Sequence, residues 1–194
     1  MKRVGLLGGA FDPVHCGHIA MAVQATAQLG LDEVRFTPTG TPAQRPDALR
    51  FSATARVELV ELAIAQEPRF RLWREELDRE GVSYSADTVE ALARDCPGAS
   101  LWLILGADQL EIFDRWHEPE RITRLARLAV APRAGTGRVT AEARARLVPG
   151  AQIDWLVMDE VTVSATEIRA RLDDGRSIRG LVPEPILERL RRGG

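Results

Sequence analysis

Apolar positions recur along the chain in two alternating patterns, short unbroken runs and longer stretches with helical spacing. Val4 to Leu7 and Ser100-Leu101-Trp102-Leu103-Ile104-Leu105 are the clearest runs, and each reads as a buried strand. Ile19 to Leu29 is Ala-rich and reads as a helix. Glu33 to Pro38 predicts a second strand ended by its proline, followed by a loop from Thr39 to Arg50 rich in Thr, Pro and Gly. Ser52 caps a helix to about Ala65, with apolar positions at Val57, Leu59, Val60, Leu62 and Ala63. Phe70 to Trp73 predicts a short strand, Ser83 to Ser85 a loop, and Asp87 the start of a helix through Ala93. A helical stretch follows Asp108, and Arg127 to Ala131 is a further strand. Ala134 to Gly150, rich in Gly and Arg, predicts a surface excursion with one helical turn around Thr140 to Leu147. Ile153 to Met158 reads as the last core strand, and Ser164 to Leu172 as a helix closed by Asp173-Asp174-Gly175. Pro185 opens a terminal helix to about Arg192.

Alternating strands and helices predict an α/β fold, an open parallel sheet with helices on both faces. The chain has 194 residues, enough for one domain with a sizeable core. Composition then narrows the partners. The 26 basic and 28 acidic residues nearly cancel, which argues against a nucleic acid polymer as partner. No apolar stretch approaches the roughly 18 residues of a membrane span. Met1-Lys2-Arg3 runs into a strand without a secretory leader pattern, and two cysteines, Cys16 and Cys96, suit a reducing compartment. The expectation is a cytoplasmic protein.

Candidate chemistry concentrates in Gly8-Gly9-Ala10-Phe11-Asp12-Pro13-Val14-His15-Cys16-Gly17-His18. It lies between a strand and a helix. Glycines there let backbone approach a phosphate, and the helix start offers unpaired N–H groups with partial positive charge. His15 and His18 are three apart and share a face of a first helical turn. Plainer readings compete: an ordinary strand-to-helix turn, a metal triad of Asp12, His15 and His18, or a Cys16 thiolate nucleophile favoured by the helix start. A helix N-terminus repels cations and attracts anions, which favours phosphate over metal. In a parallel sheet, ligands bind beyond the carboxyl ends of the strands. Gly8 to His18, Gly106 to Asp108 and Val163 to Arg169 should therefore converge.

The first stretch resembles the G-G-x-F-D-P-x-H-x-G-H signature of the nucleotidylyltransferase superfamily, with every specified position matched. Val163-Ser164-Ala165-Thr166-Glu167-Ile168-Arg169 resembles its second signature, I-S-S-T-x-I-R, with Val163 and Ala165 as departures. Ser164 and Glu167 taken alone read as a capping box. Ser83-Tyr84-Ser85-Ala86-Asp87-Thr88 is similar to the S-Y-T-x-D-T stretch of the nicotinate mononucleotide adenylyltransferases, with Ser85 in place of Thr. Thr41 to Arg45 falls where that family has P-P-H-K or P-P-H-R, with Gln44 in place of His.

The resemblance implies a Rossmann-like fold in a single domain, 1–194, whose residues from about 160 onward form a small helical subregion completing an ATP site. It implies adenylyl transfer from ATP to nicotinate mononucleotide, giving deamido-NAD and pyrophosphate. His15, His18 and Arg169 would be catalytic. ATP would meet Gly8, Gly9, Ala10, Phe11, His15, His18, Gly106, Asp108, Ser164, Thr166 and Arg169. Nicotinate mononucleotide would meet Asp12, Arg45, Tyr84, Ser85, Thr88, Asp108 and Trp116, the last stacked on the pyridine ring. Mg²⁺ would ride on the ATP phosphates without a dedicated protein cage. Trp73, Trp102 and Trp155 are assigned to the core, and His117 to the surface. The alternatives left are a sibling enzyme using nicotinamide mononucleotide or phosphopantetheine, and an ATP-sensing module without turnover. A homo-oligomer stays open.

Overall fold

The computed structural model describes residues 1–42 and 49–192. In chain order its strands are β1 (Arg3–Gly9), β2 (Glu33–Pro38), β3 (Thr41–Pro42), β4 (Phe70–Leu72), β5 (Val82–Ser83), β6 (Ser100–Gly106), β7 (Ala126–Ala131) and β8 (Ile153–Trp155). Its helices are α1 (Cys16–Leu29), α2 (Ala53–Ile64), α3 (Glu75–Asp78), α4 (Ser85–Asp95), α5 (Ala107–Leu110), α6 (Pro119–Leu125), α7 (Arg138–Ala145), α8 (Ala165–Asp173) and α9 (Glu184–Arg192), with a 3-10 turn at Phe113–Arg115.

Six strands make one sheet in the order β4-β2-β1-β6-β7-β8, every neighbouring pair parallel. Each parallel step needs a crossover, and the helices that make the crossovers cover both faces. Alternation along the strands divides the core accordingly. Leu7, Phe36, Trp102 and Ile104 pack with Met21, Leu59, Ile168 and Leu187, so α1, α2, α8 and α9 share one face. Leu6, Leu101, Leu103 and Leu105 pack with Val89, Leu92, Ile122 and Ala141 beneath α4, α6 and α7. Side chains two apart point the same way, so a single run such as β6 feeds two cores.

Several elements differ from the sequence expectation. Helix α1 begins at Cys16, three residues early, and α4 begins at Ser85, with Tyr84 as its N-cap. Ser83 lies in a strand rather than a loop, because β5 pairs in parallel with β3. Residues 138–145 form a full helix whose Ala141 and Ala145 are wholly buried, so this stretch is not merely a surface excursion. Strand β8 is three half-buried residues at the sheet edge, not a core strand. At α8, Ser164 accepts from the Glu167 amide at 3.2 Å, but the Glu167 carboxylate pairs with Arg171, so only half of the capping box is made. Trp102 is buried, whereas Trp73 and Trp155 are half-buried beneath Arg35 and Arg138. Among the described residues no helix is long and apolar enough to cross a membrane.

Because the strands are parallel, their carboxyl ends lie along one rim. The chain winds outward on either side of the neighbouring strands β1 and β6, making the crevice above them the ligand position of a doubly wound sheet.

Candidate active site

A cleft of about 910 Å³ opens at that crevice. Its floor is the turn after β1. A Cβ added to Gly8, at the end of β1, would meet nothing within 4 Å, so the strand end leading into that turn offers bare backbone to the cleft. Phe11 adopts φ of +47°, uncommon for a bulky residue, and its buried ring sets its edge against His18 at 4.9 Å. His15 is the N-cap of α1, and the two imidazoles stack at 3.7 Å between centroids. His18 Nδ1 accepts the His15 backbone N–H at 3.2 Å. Neutral His18 therefore carries its proton on Nε2, a donor left for the cleft it lines. Burial and Arg133 hold His15 down to about 4, and burial, His15 and Arg133 hold His18 well below its ordinary value. Both are neutral N–H donors at pH 7. The buried His15 Nδ1 has no hydrogen-bond partner.

Three more strand ends supply the walls. Asp108 follows β6, with its carboxylate over Gly106, where an added Cβ would lie 2.4 Å from Oδ1. Arg133 follows β7 and donates to the Val163 carbonyl at 3.0 Å. Glu76, in the short helix after β4, faces the cleft while buried at 6 % exposure. Burial pushes its carboxyl up, against hydrogen bonds from Thr88, Ser83 and Thr39 and the charge of Arg79.

The start of α8 closes the opposite side. Ser164, Ala165 and Thr166 line the cleft, and the first amides of a helix have no intrahelical acceptor. Arg169 Nη2 donates to Thr166 Oγ1 at 3.2 Å, and Nη1 to the Asp12 carbonyl at 2.8 Å. Asp12 is 1 % exposed and accepts the Arg50 and Phe51 amides at 2.9 and 2.8 Å. The far end is aromatic. Tyr84 and Ser85 at the start of α4 face Trp116 and His117, and the Tyr84 and His117 rings lie 4.1 Å apart. Trp116 Nε1 is buried without a partner.

Neutral N–H donors, a bare glycine turn and two helix starts at one end suit a polyphosphate. An aromatic pocket at the other suits a planar ring. The cytidylyltransferase-like family model matches residues 6–171. The chain belongs to the cytidylyltransferase-like family. It is 37 % identical, over 99 % of its length and 96 % of the relative's, to a protein of Dehalococcoides mccartyi named probable nicotinate-nucleotide adenylyltransferase. A Bordetella pertussis relative of the same name is 42 % identical over 96 % of this chain and 93 % of its own. Among solved structures it resembles Plasmodium falciparum nicotinic acid mononucleotide adenylyltransferase complexed with NaAD. The TM-score is 0.79 at 15 % identity, covering 99 % of this chain and 96 % of the other.

Within this cytidylyltransferase-like site, Gly8, Gly9, Ala10, His15, His18, Tyr84, Ser85, Gly106, Asp108, Trp116, Ser164 and Thr166 line the one cleft. Phe11, Asp12, Thr88 and Arg169 stand behind its wall, making the contacts just given or, for Thr88, a bond to Glu76 at 2.8 Å. Arg45 and Gln44 lie outside the described residues. His117 is a wall residue, not merely a surface one. Burial raises the Cys16 thiol rather than favouring its thiolate, outweighing the helix start, and the Cys16 amide is taken by the Leu181 carbonyl at 2.9 Å. Sequence reasoning missed Arg133, Glu76 and Arg115 as wall residues. Arg133 carried a usable signal, a cation just beyond a predicted strand.

Proposed function

We propose that this cytidylyltransferase-like protein transfers the adenylyl group of ATP to nicotinate mononucleotide, giving deamido-NAD and pyrophosphate. The observation that carries the reading is the meeting, in one cleft, of the His15–His18 pair and the α8 start, segments about 150 residues apart in sequence. The names borne by the full-length relatives support the same reaction.

A phosphate oxygen of the mononucleotide attacks the α-phosphorus of ATP, the bond to the β-phosphate oxygen breaks, and its electron pair leaves with pyrophosphate. The attacking phosphate is already anionic at neutral pH, so positioning and charge neutralisation carry the rate. His18 Nε2–H donates to the phosphoryl oxygens where charge builds, and His15 supports it by stacking. Ser164, Thr166 and the α8 amides receive the leaving pyrophosphate, with Arg169 at their back and Arg133 adding charge. Asp108 suits a ribose diol as acceptor. The start of α4, whose Ser85 and Ala86 amides have no intrahelical acceptor, suits the pyridine carboxylate. Trp116 offers a face to the ring.

The donors facing the phosphate end are N–H and hydroxyl groups, and among the described residues no group of three or more His, Cys, Asp or Glu side chains is placed to hold a metal. That set fits Mg²⁺ carried by the nucleotide's own oxygens and water. When bound, such an ion would supply charge neutralisation. The test is pyrophosphate release with ATP and Mg²⁺, comparing nicotinate mononucleotide with its amide. A large preference for the acid is expected, and His18→Ala should lose about 10²-fold or more in rate while remaining folded. Silence with both mononucleotides would reject the reaction.

A further inference from the structure

The small sheet at the cleft mouth has no core of its own. Strands β3 and β5 contribute two residues each, paired Thr41 to Val82 and Pro42 to Ser83. So few ladder bonds cannot fix a substrate wall, because an isolated two-stranded pair is marginal in water. What gathers this region is a carboxylate. Glu76 receives the Thr88 hydroxyl at 2.8 Å, and the Ser83 and Thr39 side chains stand beside its carboxylate and favour its charged form. Ser83 Oγ in turn accepts the Gly40 amide at 3.2 Å, and Arg79 donates to Thr88 Oγ1 at 3.2 Å. The chain at Gly40 passes so close that an added Cβ would lie 2.1 Å from the Glu76 carbonyl. Thr39 also donates its amide to the Gly9 carbonyl at 2.9 Å, tying the cluster to the glycine turn.

Four segments therefore meet on one buried carboxylate: the end of β2, the helix after β4, β5 and the first turn of α4. Thr88, 1 % exposed, has its hydroxyl committed to this cluster. One turn ahead of it on the same helix stand Tyr84 and Ser85, which line the cleft.

We propose that Glu76 is a positioning residue for the second substrate, holding Thr88, Ser83 and Thr39 so that the Tyr84–Ser85 start of α4 faces the cleft, with Thr88 acting through Glu76. The inference rests on the adenylyl-transfer reading above. A carboxylate accepts from three hydroxyls at once, whereas a carboxamide offers a single oxygen and turns donors toward donors. The phosphate end of the cleft is built from other segments and meets this cluster through the Thr39 amide, a backbone bond that neither side-chain substitution removes.

The experiment is a double-mutant cycle with Glu76→Gln and Thr88→Val, reading KM for each substrate and kcat. Each single variant should raise KM for nicotinate mononucleotide about 10-fold and leave KM for ATP within about twofold. The double variant should be no worse than the poorer single one, and Thr88→Ser, which keeps the hydroxyl, should restore the wild-type value. Additive losses would make Thr88 a direct substrate contact and overturn the proposal. Equal rises in both KM values would overturn it too, by showing only a general structural role. Wild-type pyrophosphate release in the same assay separates these outcomes from failure of the reaction itself.

Discussion

His15 and His18 owe their chemistry to burial rather than to identity. An exposed imidazole with pKa near 6.5 would be partly cationic at neutral pH, and a cation would bind a triphosphate more strongly in the ground state. Here burial and the charge of Arg133 keep both rings neutral, and the His15 amide on His18 Nδ1 leaves the His18 proton on Nε2. The same shift makes stability depend on pH. An unfolded chain protonates His15 below about 6.5, the folded one only below about 4, so in between the unfolded state binds more protons. The contribution is fully present above 6.5 and is lost as pH falls, amounting to about 3 kcal/mol by pH 4 for His15 alone. Denaturant titrations of the free protein from pH 7 to 4.5 should show this fall, and His15→Asn should make it shallower, leaving the part that His18 contributes with the same sign. A free protein equally stable across that range would place the protonated ring in the folded state.

At the scale of elements, the site depends on how closely α1 and the segment before α8 approach. Gly17 makes that contact possible. An added Cβ would lie 2.6 Å from Val161 Cγ1, 3.0 Å from Val163 Cγ1 and 3.1 Å from His15 Cε1. Two of those neighbours are β-branched and stiff, so they cannot swing aside. Gly17→Ala should cost roughly 1–3 kcal/mol and displace His15, lowering both the thermal midpoint and kcat. An alanine variant with unchanged melting and turnover would mean that the Val161–Val163 segment yields freely. The glycine was legible in the signature, but its reason was not, because the two valines it makes room for are 144 or more positions away.

For the whole molecule, the C-terminal helices are part of the core that carries the active site. Ile168 and Leu187 pack in the same buried cluster as Leu7, Phe36 and Trp102, and Arg189 pairs with Glu58 of α2 at 2.9 Å. Leu187, 1 % exposed, does not line the cleft, yet Leu187→Ala should destabilise the protein by about 2–5 kcal/mol. Unfolding followed by tryptophan fluorescence and by far-UV circular dichroism should still coincide in one transition. Two separated transitions would mean that α8 and α9 fold as a unit of their own.

What the sequence by itself determined was local or periodic: the six strands of the main sheet, with β8 shortened to an edge, the longer helices to within a few residues, and the two stretches, Gly8 to His18 and Ser164 to Arg169, that meet at one cleft. These follow from side-chain alternation, helix starts and turns, each written within about ten neighbouring residues. Only the tertiary structure decided which side chains face the cleft. Asp12 and Thr88 belong to matched stretches yet turn inward, because backbone amides in one case and Glu76 in the other satisfy them more fully than the cleft does. Arg133, Glu76 and His117 enter the wall because parallel strands deliver their ends to one rim, whatever their distance in sequence. Charge state, too, was set by the fold, since desolvation depends on what surrounds a group and not on what precedes it in the chain.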